Sequence, residues 1–176
     1  AIAGDAGGGV TVDNAGLIET RVPQVFSYGL PYSAGIYLRS GGSITNENTG
    51  TIAAYTAIKA RGDSTIANSG TIAAYNTGIY LRAGGSITNA AGAVISAVRN
   101  NGLYLGYTAA ATVDNAGTIL AGSYNAGGDL VGGDSAIRLG GGGVVINETG
   151  GRIGSGGVFA IDGGYHPGTV DNFGTI

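Results

Sequence analysis

Seven times in 176 residues the chain writes one short corner: an asparagine, one to three small or polar residues, a glycine, then an aliphatic residue. It reads "NAGLI" from Asn14, "NSGTI" from Asn68, "NAAGAVI" from Asn89, "NAGTI" from Asn115 and "NFGTI" from Asn172, with longer versions "NENTGTI" from Asn46 and "NETGGRI" from Asn147. A second phrase precedes each one, seen in "GIYLRSGGSI" from Gly35, "AIKARGDSTI" from Ala57, "GIYLRAGGSI" from Gly78 and "AIRLGGGGVV" from Ala136. Repetition at a fixed period constrains a fold more than any local propensity, because a unit that cannot bury its own apolar side must stack on its copies.

Each copy takes roughly 20 to 24 residues, stretched to about 34 in the first and fifth. Anchors such as Ile79, Ile87 and Ile95 mark three short segments per copy. The gaps between them are too short for helices with loops, but they suit a four- or five-residue strand and a glycine or asparagine corner. The expected architecture is all-β: a three-sided parallel β-helix of about seven coils, with two longer loops at one corner. Alternation along each strand assigns three interior columns. The first is Ile2, Ile36, Ile58, Ile79, Leu103, Ile137 and Ile161; the second is Val12, Ile44, Ile66, Ile87, Val113, Val145 and Val170; the third is Ile18, Ile52, Ile72, Ile95, Ile119, Ile153 and Ile176.

The repeated asparagines, Asn14, Asn68, Asn89, Asn115, Asn147 and Asn172, with Asn46 or Asn48 in the longer corner, suit an amide ladder along the stack. Glycine pairs such as Gly41-Gly42 and Gly84-Gly85 suit left-handed corners. Asn101-Gly102 is an ordinary hairpin signal, but the repeat overrules it.

Composition narrows what such a rod does. The 37 glycines lack collagen's every-third spacing. A net charge of -3 offers no general attraction to nucleic acid or anionic membrane, so no nucleic-acid partner is expected. The absence of cysteine excludes disulfides and thiolate metal sites. No apolar run is long enough for a membrane-spanning helix.

The "GGSITN" and "VDNAGTI" coils, poor in charge and free of cysteine, resemble the passenger region of bacterial autotransporters, the type V secreted adhesins and related haemagglutinin-like β-helix proteins. The resemblance covers the whole chain. It implies export through the periplasm and outer membrane, display at or release from the cell surface, and a C-terminal β-barrel translocator, which this sequence does not contain. The first and last residues fall at equivalent joints of the repeat, with no amphipathic cap, so a single solenoid domain from a longer passenger is expected, or a unit whose ends neighbours cover.

Candidate contact residues lie on the outward side of the first strand. Tyr37, Lys59, Tyr80, Tyr104 and Arg138 form one column, and Arg39, Arg61 and Arg82 lie two positions further along. Tyrosines and guanidiniums suit sugar rings or acidic glycans. The same residues also suit an outward ladder that shields the sheet with its stems, the reading that exposed strand faces favour. Two insertions, residues 19 to 34 and 120 to 136, leave one corner; the first carries Phe26, Tyr28 and Tyr32, which suit insertion into a partner or folding back over the coil edge.

Asp129 and Asp134, in "GGDLVGGD", do not match a calcium-binding nonapeptide, and His166 reads as a corner residue, so no metal and no cofactor is expected. No nucleophile, zincin, P-loop or dinucleotide motif occurs. Scattered acids, including the recurring Asp13, Asp114 and Asp171, offer no carboxylate pair for glycoside cleavage. The expected function is a non-enzymatic adhesin or stalk that meets a glycan or protein on a host or neighbouring cell. A self-assembling fibre or cell-aggregation protein is the main alternative, and a polysaccharide-active enzyme the third.

Overall fold

The computed structural model describes residues 2–4, 9–20, 33–106 and 108–176, and no helix occurs among them. The chain is a parallel β-solenoid. A representative rung runs through Gly85–Asn89, Val94–Ala97 and Leu103–Leu105, and each strand pairs in parallel with its counterparts one rung away. Strands of the middle wall form a seven-stranded sheet, while those of the first and third walls share an eleven-stranded one.

Like residues stack on like. Ile36 lies opposite Ile58, Ile58 opposite Ile79 and Ile79 opposite Leu103 on the first wall. Ile44, Ile66, Ile87 and Val113 follow one another on the second, and Ile52, Ile72, Ile95 and Ile119 on the third. All twelve of these side chains are buried. Burial of each contributes about 1.5–3 kcal/mol, a gain that exists only because the next rung covers it. In the last rung Val170 and Ile176 remain 42% and 49% exposed, and Phe159, Ile161, Val170 and Ile176 help line an apolar hollow of about 530 Å³.

The three corners are built differently. Between the first and second walls the chain turns on glycines with positive φ, +88° and +150° at Gly41 and Gly42, +82° and +125° at Gly84 and Gly85. A Cβ on Gly42 would collide with the Val10 carbonyl and one on Gly85 with that of Ser64, so close stacking excludes side chains there as firmly as φ does.

Between the second and third walls stands a continuous amide ladder. The Nδ2 of Asn14 donates to Oδ1 of Asn46, Asn46 to Asn68, Asn68 to Asn89, Asn89 to Asn115, Asn115 to Asn147 and Asn147 to Asn172, each at 2.8 Å. The same nitrogens reach corner carbonyls, as Asn68 does to Gly70 and Val94 at 3.2 Å. Asn46, and not the exposed Asn48, occupies the ladder, because Asn46 alone shares the register of Asn14 and Asn68.

The third corner departs from the expected pattern of a short strand followed by a glycine or asparagine turn. Thr51–Ala60 and Thr71–Leu81 run ten and eleven residues, straight from the third wall into the first wall of the next rung. Small residues, Ala53-Ala54 against Ala73-Ala74, let the paired backbones bend together without breaking their ladder. A register shift between Ala54 and Thr56 absorbs one extra residue in the later strand, as a bulge does. This unbroken bend is why two walls belong to one sheet.

The second insertion leaves this same corner as a small hairpin, Ser123–Tyr124 antiparallel to Leu130–Val131. Asn125 Oδ1 shapes its turn by accepting the backbone N–H of Gly127 at 2.8 Å and of Asp129 at 2.9 Å. The first insertion, with Phe26, Tyr28 and Tyr32, lies outside the described residues except for its flanks.

Candidate binding groove

On the outer side of the first wall, strand pairing sets Tyr37, Lys59, Tyr80, Tyr104, Arg138 and Asp162 in one column. All six are half-buried. Tyr80 and Tyr104 stack with centroids 5.1 Å apart and planes inclined by 15°. Lys59 Nζ lies 5.6 Å from the Tyr80 centroid, Arg138 Cζ lies 5.7 Å from that of Tyr104, and Arg138 Nε is 3.6 Å from Asp162 Oδ2. The faces of these rings are therefore engaged along the rod, by each other and by cations, and what they turn outward is edge and hydroxyl. That arrangement disfavours sugar-ring stacking on the Tyr80 and Tyr104 faces. Arg39, Arg61 and Arg82 are exposed on the same wall, and Arg61 Cζ sits 5.9 Å from the Tyr37 centroid.

Beside this column the third corner, unbroken in two rungs and interrupted between Ala97 and Leu103 and again by the hairpin, encloses a groove of about 420 Å³, within the range of ligand sites. It is built from three rows, the outer two crossing four rungs and the floor three. Lys59, Tyr80, Tyr104 and Arg138 form one wall, Tyr55, Asn76, Asn100 and Asp134 the facing lip, and Thr56, Thr77 and Asn101 the floor between them. The floor residues are 3% to 6% exposed. The lip is tied along the rod, since the backbone N–H of Asn100 donates to the Asn76 carbonyl at 2.9 Å and that of Asp134 to the Asn100 carbonyl at 3.2 Å, while Asn100 Nδ2 donates to Asn76 Oδ1 at 2.9 Å. On the floor, Asn101 Nδ2 donates to the Ser135 carbonyl at 3.2 Å and meets Asp134 Oδ2 at 3.5 Å.

Of the sequence candidates, Lys59, Tyr80 and Tyr104 enter the groove together with Arg138; Tyr37, Arg39, Arg61 and Arg82 do not line it. Sequence reasoning missed Tyr55, Thr56, Asn76, Thr77, Asn100, Asn101 and Asp134 as a group. The signal for them is a lengthening step. Ile52 to Ile58 spans six residues, Ile72 to Ile79 seven and Ile95 to Leu103 eight, before the second insertion stretches Ile119 to Ile137 to eighteen. The groove opens at this corner, where the step between anchors lengthens from rung to rung. Asp129 stays with the hairpin, where its carboxylate accepts from Asn125 Nδ2 at 3.2 Å, and His166 sits in an exposed bend. No protein-family model, curated protein or solved structure matches this chain.

Proposed function

We propose that the chain is part of a non-enzymatic solenoid displayed on a bacterial surface, of the kind autotransporter passengers form, and that it works as an adhesin or adhesive stalk. The observation that carries this reading is a polar, mixed-charge groove running across four rungs of an otherwise uniform rod. A rigid stack holds such a groove in fixed register with the exposed arginines beside it, so that weak contacts made together add up to firm attachment. The partner is a glycan or protein on a host or neighbouring cell.

Beads coated with the protein should adhere to cell monolayers, and combined Tyr80→Ala and Arg82→Ala substitution should lower adhesion several-fold. Adhesion that survives the pair of substitutions would move the contact elsewhere. Concentration-dependent rods in negative stain, with no adhesion, would replace the reading by self-assembly, and turnover of an acidic polysaccharide would replace it by catalysis.

A further inference from the structure

We infer that the groove binds an oligosaccharide laid along the rod axis, with a carboxylate-bearing sugar at the Lys59 end. This rests on the adhesin reading only for the ligand's location on a surface. The groove's own chemistry selects the class. Every residue lining it carries a polar side-chain atom, and the amides of Asn76, Asn100 and Asn101 and the hydroxyls of Thr56 and Thr77 both donate and accept. Such a lining suits a ligand dense in hydroxyl groups.

Two floor hydroxyls lack good partners. Thr56 is 6% exposed and its hydroxyl makes no hydrogen bond among the described residues, while Thr77 Oγ1 receives only a long contact from Asn76 Nδ2 at 3.4 Å. A ligand hydroxyl aimed at them adds hydrogen bonds that the floor itself does not supply. Ligands that recognise by stacking, nucleobases among them, find the Tyr80 and Tyr104 faces already engaged.

Length and charge complete the assignment. Four rungs at strand spacing give a track about 14 Å long with one wall and one lip residue at each step, a shape that suits an extended chain better than one compact molecule. Lys59 makes no ion pair among the described residues and marks the cationic end. At the other end Arg138 already faces Asp162, and Asp134 adds a further negative charge. A saccharide acidic along its whole length would meet repulsion there; one acidic at a single end would not.

The test is titration calorimetry of the 176-residue chain with a sialylated tetrasaccharide and with its desialylated trisaccharide. The sialylated probe should bind more tightly; Lys59→Gln should weaken it about tenfold and leave the trisaccharide unchanged, and the nearly isosteric Thr77→Val should weaken both several-fold. A thermal melt verifies that each variant is folded. Absence of binding by either probe, equal binding of both, or binding indifferent to both substitutions overturns the inference. If neither probe binds in calorimetry while the coated beads still adhere to cells, the groove assignment falls and the adhesin reading stands. If the oligosaccharide binds as described and the beads adhere to nothing, the reverse holds.

Discussion

Two corners of the same rod obey opposite rules. The corner between the second and third walls repeats one solution in every rung, an asparagine whose amide bonds the next asparagine at 2.8 Å and corner carbonyls besides. The corner between the third wall and the first never settles: it lengthens from six to seven to eight residues and then opens into a hairpin. Where rungs are identical, each side chain's partner is its own copy, and the surface presents nothing that the stack has not already satisfied. Where successive rungs differ, the copies fail to match, and polar groups are left facing outward. In a solenoid, then, departure from the repeat is where chemistry for a ligand accumulates, and strictness is where stability resides.

The largest expected effect comes from breaking the strict corner with a charge. Asn89 is fully buried, and its Nδ2 donates to Asn115 Oδ1 at 2.8 Å and the Thr118 carbonyl at 3.2 Å. Asn89→Asp removes that donor and sets a carboxylate against those oxygens, at a cost of about 3–5 kcal/mol in a denaturant melt. Asn89→Ala leaves the same acceptors unpaired without the charge and should cost about 2–3 kcal/mol. A charge variant no less stable than the alanine variant would mean water enters this corner and that the ladder is not what holds it.

Glycines sharpen the comparison next. Gly85 and Gly92 both adopt positive φ, +125° and +81°, yet only at Gly85 would a Cβ meet a neighbouring backbone, while at Gly92 nothing lies within 4 Å. Gly92→Ala should therefore cost about 1 kcal/mol of conformational strain, and Gly85→Ala distinctly more, since the rung below must also move. Equal melting shifts would show that φ alone, and not the closeness of rungs, demands glycine at the first corner.

Much of this was legible before any coordinates, and the reason is physical. Aliphatic anchors recur at positions where only like-on-like stacking buries them, so the columns through Ile58, Ile79 and Leu103 follow from spacing alone. Parallel in-register pairing then fixes the outward column of Lys59, Tyr80 and Tyr104 without further information. The corner at Tyr55 was not legible, because "AAYTAIK" carries neither glycine nor proline and nothing local distinguishes a bent strand from a short strand with a turn. The groove was missed for the same reason: Thr77 and Asn101 reach its floor through a bulge and a lengthened bend, which are properties of three rungs compared and not of any one motif. The choice of Asn46 over Asn48 was likewise open until register decided it.

A smaller effect on stability, with a large one on binding, is expected from forcing the variable corner into uniformity. Deleting Asn76 makes the third rung's corner match the second's and removes the register shift between Ala54 and Thr56. Because the bend is outside the amide ladder and its lengthening costs little closure entropy, the melt should change by no more than about 1 kcal/mol. The lip loses one of its two amides, so oligosaccharide binding should disappear. Retained binding would separate the groove's chemistry from the lengthening step that shapes it.

The smallest effect decides how the groove's wall works. If the Tyr80 and Tyr104 rings hold each other, a double-mutant cycle with Tyr80→Ala and Tyr104→Ala should return a coupling of about 1 kcal/mol, the value of an offset aromatic pair beyond its buried area. Both rings are only half-buried, so burial alone would give nearly additive losses. Lys59 on the outer face of one ring and Arg138 on that of the other extend the stack, and raising the salt concentration should trim the coupling only slightly, because close ring–cation contacts are poorly screened. A coupling near zero would mean the two rings turn independently and expose their faces in solution. Recognition would then proceed by stacking on tyrosine, and a planar ligand would compete with the saccharide for the same wall.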